Sequence, residues 1–115
     1  LSFKRYEDRA IVSAAEWITA QEGEKPSIAM SATGRTARFL YLAQGTLVPL
    51  PQTWEEFERL EKPMDYIIGY EKEDGTQHPS YLPQIRTKLE KVERFSQKIF
   101  RKENPRIVEV YRWTR

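Results

Sequence analysis

The chain has 115 residues, enough for one hydrophobic core and one domain spanning residues 1–115. Its 39% hydrophobic and 31% charged content is that of a globular protein, and the absence of cysteine excludes a disulfide framework and any thiolate metal site. The net charge of +2 is unevenly spread: residues 81–115 hold ten Lys/Arg against four Glu, while residues 50–80 hold three basic against eight acidic side chains.

In "YEDRAIVSAAEWITAQEG", Tyr6, Ala10, Ala14, Trp17 and Ile18 recur at three- and four-residue steps, which predicts a helix stopped at Gly23. "PSIAMSA" is an apolar run of strand length, and "ATGRTARFLYLAQG" predicts a short helix closed by Gly45. "TLVPLP" has two prolines and suits an edge strand. "TWEEF" reads as a capping box, with Thr53 accepting from the amide three residues on and Glu56 reaching back. Trp54, Phe57 and Leu60 then face one way until Pro63 ends the turn.

"MDYIIGYE" is β-branched and aromatic with few charges, the pattern of a central strand. "EDGTQHPS" carries a turn signal and is expected to be a loop, with His78 as an exposed imidazole. From Ser80 a helix is expected to place Tyr81, Ile85 and Leu89 on one stripe, and the alternating charges of "KLEKVER" suit i,i+4 pairs on a helix face. "VERFSQKIF" and "RIVEVYRWT", separated by "RKENP", read as a hairpin. The expected architecture is an α/β domain: one small sheet of about four or five strands with packed helices, ending in a C-terminal β-hairpin. Trp17, Phe39, Tyr66, Ile67, Ile68, Ile85, Leu89 and Val110 are the expected core residues.

The segment "SIAMSATGRTARF" raises the question of a phosphate-cradling loop between strand and helix. A Walker loop needs a second glycine and a Lys before Ser/Thr, whereas "SATGRT" has one glycine and places Arg35 where the Lys would stand. No G-x-G-x-x-G is present either. Ser31, Ala32 and Gly34 are read as small because the chain turns tightly there. The single histidine cannot make a typical zinc set, and no nucleophile elbow accompanies Ser80 or Ser96. Asp65 and Asp74 take the strand-opening and turn roles common for Asp. No catalytic residue, cofactor site or metal site is assigned.

The basic end remains. Arg94, Lys98, Arg101, Lys102 and Arg106 flank the hairpin loop and are the candidate contacts to an anionic surface. The neighbouring Phe95, Phe100, Tyr111 and Trp113 also permit an alternative, a freestanding nucleic-acid-binding or regulatory domain that stacks bases on a basic sheet.

No apolar run approaches the roughly 18–20 residues that span a bilayer, so the chain as it stands is expected to be soluble. It opens with "LSFKRYED", which lacks a signal-peptide core, and is read as a fragment or processed product. The succession of "RAIVSAAEWITAQEGEKPSIAM", "ARFLYLAQGTLVP", "PMDYIIGYE", a helix and a hairpin ending in "VEVYRW" resembles the soluble tail of polytopic membrane glycosyltransferases of the C-type fold, the protein-mannosyltransferase-like proteins that use polyprenyl-phosphate sugars. The likeness covers roughly residues 6 to 113. It implies a non-catalytic accessory domain on the extracytoplasmic face of a membrane, partnered by the membrane-embedded remainder of the same chain. The family's catalytic acid would then lie outside these residues, and anionic lipid headgroups would be candidate partners for the basic hairpin.

Overall fold

The computed structural model describes residues 9–21, 25–31, 36–61, 64–96 and 105–112, with the backbone alone for 36–38. In chain order these form α1 (Arg9–Ala20), β1 (Ser27–Met30), α2 (Thr36–Ala43), β2 (Thr46–Pro49), α3 (Trp54–Glu58), β3 (Tyr66–Lys72), β4 (Gln77–His78), α4 (Leu82–Lys88), β5 (Glu90–Ser96) and β6 (Pro105–Arg112). The strands make one mixed sheet of order β2-β1-β3-β6-β5, with β4 paired to β3 beside this path. β1 runs parallel to β2 and β3, while β3–β4, β3–β6 and β5–β6 are antiparallel.

β3 organises the sheet because it is apolar in both parities. Tyr66, Ile68 and Tyr70 point to one face and Ile67 to the other, and all four are at least nine-tenths buried. The first face, extended by Val108 and Val110, packs against Ala10, Ile11, Ala14, Ala15 and Ile18 of α1 and Phe39 and Ala43 of α2. The second joins Ala29, Val48, Ile67 and Tyr111 to Phe57 of α3 and to Leu82 and Ile85 of α4. Helices therefore cover both faces, as burial of a two-sided apolar strand requires.

The α/β class and the C-terminal hairpin are as the pattern predicts, and β2 with its Pro49 lies at the sheet edge. Among the expected core residues, Phe39, Tyr66, Ile67, Ile68, Ile85 and Val110 are buried, whereas Trp17 and Leu89 are half-buried against it. Trp17 meets Tyr66 edge-on at 5.9 Å between ring centroids. The Thr53 cap is present: its hydroxyl accepts the Glu56 amide at 3.2 Å, while the Glu56 carboxylate accepts from that hydroxyl at 2.9 Å instead of bonding the Thr53 amide. Asp74 accepts the Thr76 amide at 2.9 Å, closing the turn before β4 with Gly75 at φ 91°. Asp65 ties β1 to β3, its carboxylate accepting the Ser27 amide and its own amide donating to the Ser27 carbonyl, both at 2.8 Å.

Several expectations are corrected. The sheet has six strands, because the segment expected to be a loop contributes β4. His78 is half-buried and stacked on Tyr70 at 4.8 Å, not an exposed loop imidazole. α2 is ended by Gln44, which takes the left-handed conformation at φ 54°. Gly45 serves a different need, since a Cβ there would collide with the Ile28 side chain. α4 stops at Lys88, and Leu89 is already extended, so "EKVER" is strand, and its Lys91 and Arg94 face Glu109 across the sheet instead of pairing along a helix. Gly23, Ala32, Gly34, Arg35, Lys98, Phe100, Arg101, Lys102 and Trp113 lie outside the described residues.

Candidate functional site

α4 packs on the second face over Gly69, where the missing side chain admits Leu82 against the sheet. The same face carries Glu71 of β3 and Glu109 of β6. Gly69 opposes Glu109, and Glu71 opposes Ile107. Strand alternation therefore sets the two carboxylates on neighbouring strands with the same orientation.

Glu109 is only 2% exposed. A carboxylate that deep is tolerated only when charged partners replace its water. It accepts from Arg86 Nε at 2.7 Å, the Tyr111 hydroxyl at 2.9 Å and Lys91 Nζ at 3.3 Å, and Arg94 Nε stands at 3.8 Å. Glu71 accepts from Arg106 at 2.6 Å, Gln77 at 3.2 Å and Arg86 at 3.4 Å. Arg86, on the last turn of α4, thus bridges both carboxylates and locks helix to sheet.

Two register shifts make this assembly possible. On β6, Glu71 opposes Ile107 and Lys72 opposes Pro105, so Arg106 is the unopposed residue of a bulge. On β5, Lys91 opposes Tyr111 and Glu93 opposes Val110, which leaves Val92 unopposed. A bulge re-aims the side chains around it. Lys91 and Arg94, three residues apart, would face opposite ways on a regular strand, and here both reach Glu109.

The electrostatics follow from these contacts. Burial alone would raise the Glu109 carboxyl, but hydrogen bonds from Arg86, Tyr111 and Lys91 outweigh it and hold the group below the usual carboxylate range. The Gln77 amide, helped by Arg86 and Arg106, does the same for Glu71 against the opposing effect of burial. Burial, and then the bond to Glu109, pushes the Tyr111 phenol well above its ordinary value. Both carboxylates stay ionised at neutral pH and are occupied by cations, so neither is placed to donate a proton. Among the described residues, four cations meet two carboxylates, leaving a surplus of positive charge on this face. Among the described residues, no group of three or more His, Asp or Glu is arranged to hold a metal ion.

Comparison with family models, curated proteins and solved structures returns no match. The site therefore rests on its own geometry. Of the residues singled out from the sequence, Arg94 and Arg106 are brought to this face, each with an internal carboxylate partner. Arg86, Lys91, Glu71 and Glu109 were missed. The available signal was Glu109 itself, a lone acid within the apolar strand pattern "RIVEVYRW" and amid ten basic residues.

Among the described residues, the aromatics do not accompany the cations. Phe95 opposes Val108 and packs half-buried against the α1–α2 core, on the other face from Arg94. Tyr111 lies on the cationic face but is fully buried. The exposed large hydrophobic side chain among the described residues is Tyr41, on α2. His78 forms a separate feature: its Nε2 is buried with no hydrogen-bond partner among the described residues, and burial, then Lys72, lowers its pKa.

Proposed function

We propose that the chain is a non-catalytic accessory domain of a polytopic membrane glycosyltransferase that uses a polyprenyl-phosphate sugar donor. It lies on the extracytoplasmic side, beside the membrane-embedded remainder of the same chain. The layout of its elements supports this reading, as does a three-layer α/β body in which helices cover both faces of the sheet.

The observation that carries the reading is the use of the two acids in the charged cluster. Glu71 and Glu109 anchor Arg86, Lys91, Arg94 and Arg106, so the cluster presents charge instead of reactive groups. Such a face suits a place beside phosphate-bearing lipids, where each Lys/Arg near an anionic leaflet contributes about 1 kcal/mol. Among the described residues, no helix is long and apolar enough to cross a membrane, so the reading requires membrane spans elsewhere in the polypeptide.

The test is twofold. The coding sequence around these 115 residues should encode several apolar segments of about 20 residues each. The full-length protein in membranes should transfer sugar from a polyprenyl-phosphate donor, and the isolated chain should not. A reading frame with no such apolar segments overturns the proposal, and so does sugar transfer by the isolated chain. The nucleic-acid alternative lacks a stacking platform on the cationic face among the described residues.

A further inference from the structure

We infer that Lys91 and Arg94, held over the buried Glu109, form a docking surface for the phosphate headgroups of an anionic membrane. The inference deepens the membrane-side reading above, and its test does not depend on that reading.

Three observations converge on it. The first is the bulge at Val92, which gives up regular pairing on β5 and thereby turns two cations three residues apart onto one face. Regular alternation would have put one of them on the α1 side of the sheet. The second is accessibility. The side chains of Lys91 and Arg94 are 45% and 49% exposed, against 32% for Arg86, so both remain open to solvent although they face Glu109.

The third is unused hydrogen-bonding capacity. Glu109 has taken donors from Arg86, Tyr111 and Lys91, and Arg94 at 3.8 Å stands beyond hydrogen-bond distance. Among the described residues, nothing accepts a hydrogen bond from the Arg94 guanidinium, and Lys91 spends one of its three donors. A carboxylate that orients cations without saturating them leaves donors for a second anion. A guanidinium fork suits phosphate oxygens, and the ammonium adds a point charge beside it.

Position favours a surface over a pocket. β5 is the last strand of the sheet, so its side chains sit at an edge that a flat bilayer can approach. Nucleic acid would share the charge complementarity but would need exposed aromatics on the same face. Among the described residues, the buried Tyr111 and the oppositely directed Phe95 do not supply them.

The experiment measures co-sedimentation of the 115-residue chain with vesicles of equimolar phosphatidylglycerol and phosphatidylcholine, and with vesicles of phosphatidylcholine alone. Binding is expected only to the first, weakening as salt rises. The double substitution Lys91→Gln/Arg94→Gln should weaken it on the order of tenfold. Lys25→Gln/Arg59→Gln removes the same charge from exposed positions elsewhere and should leave it unchanged. Soluble glycerol phosphate at the lipid phosphate concentration should not compete. Equal losses in both double variants would reduce the effect to net charge and overturn the inference. Absence of vesicle binding would overturn it, as would full competition by glycerol phosphate or tighter binding to a single-stranded oligonucleotide. Thermal melts of both variants accompany the assay. If Lys91→Gln/Arg94→Gln unfolds, Arg94→Lys takes its place: it keeps the charge but loses the fork, and it should weaken binding at least twofold. Unchanged binding by Arg94→Lys would overturn the role of the guanidinium. Apolar segments in the flanking gene without vesicle binding would sink this inference alone.

Discussion

Arg86 on α4 donates its Nε to Glu109 on β6 at 2.7 Å, across 23 positions of sequence. The contact joins the last turn of a seven-residue helix to an interior strand. It also fixes the point from which Lys91 and Arg94 are oriented.

Replacing Glu109 by Ala should therefore cost more than an ordinary surface change. The substitution leaves Arg86, Lys91 and Arg94 facing one another over a buried Tyr111 hydroxyl. Because the three cations are a third to a half exposed, water screens part of the loss, and about 1–3 kcal/mol is expected. Urea denaturation measures it. A loss below about 0.5 kcal/mol would mean that the cluster contributes nothing net to folding.

Acid should destabilise the protein in two stages. His78 has a folded pKa below its ordinary 6.5, so its contribution is fully present above that value and is lost as pH falls through the folded value. Glu71 and Glu109 have folded values below the ordinary 4.5, so theirs is full above 4.5 and is lost at lower pH. Urea midpoints measured from about pH 8 down to about pH 3 should thus decline first below 6.5 and then more steeply below 4.5. His78→Phe keeps a ring on Tyr70 and should remove the first stage alone. A first stage that survives this substitution would assign it to another group.

The seat of α4 depends on Gly69. A Cβ there would press on the Leu82 side chain, which is fully buried. Gly69→Ala should cost about 1–3 kcal/mol by overpacking. Leu82→Ala opens space at the same spot, so the double variant should be more stable than the sum of the single losses. Strict additivity in the double-mutant cycle would show that the two residues do not meet.

Core and cap should separate in size. Ile67→Ala, at a fully buried site of β3, should cost about 2–5 kcal/mol. Thr53→Ala removes the acceptor for the Glu56 amide at the start of a five-residue helix and should cost about 0.5–2 kcal/mol. Denaturant midpoints for both variants rank them, and a larger loss for Thr53→Ala would contradict the burial of β3.

Much of the fold was legible because it rests on local chemistry. The apolar run at Tyr66–Tyr70, the Thr53 cap and the Asp74–Gly75 turn each carry their structural instruction within a few residues. The apolar pattern of "RIVEVYRW" marked Val110 as core in the same way. Where sequence reading erred, a distant partner decided. α4 ends at Lys88 because the residues after it are drawn into pairing with β6, a choice that helix propensity along "KLEKVER" cannot register. Gln77 and His78 form a strand only through their pairing with Tyr70 and Glu71 of β3. The grouping of the candidate site belongs to this second kind. Composition reveals a basic C-terminal third and "RIVEVYRW" singles out Glu109, but which cations gather on that carboxylate depends on two bulges. Charge is written residue by residue along the chain, whereas the grouping of charges depends on the register between strands, which only the folded sheet sets.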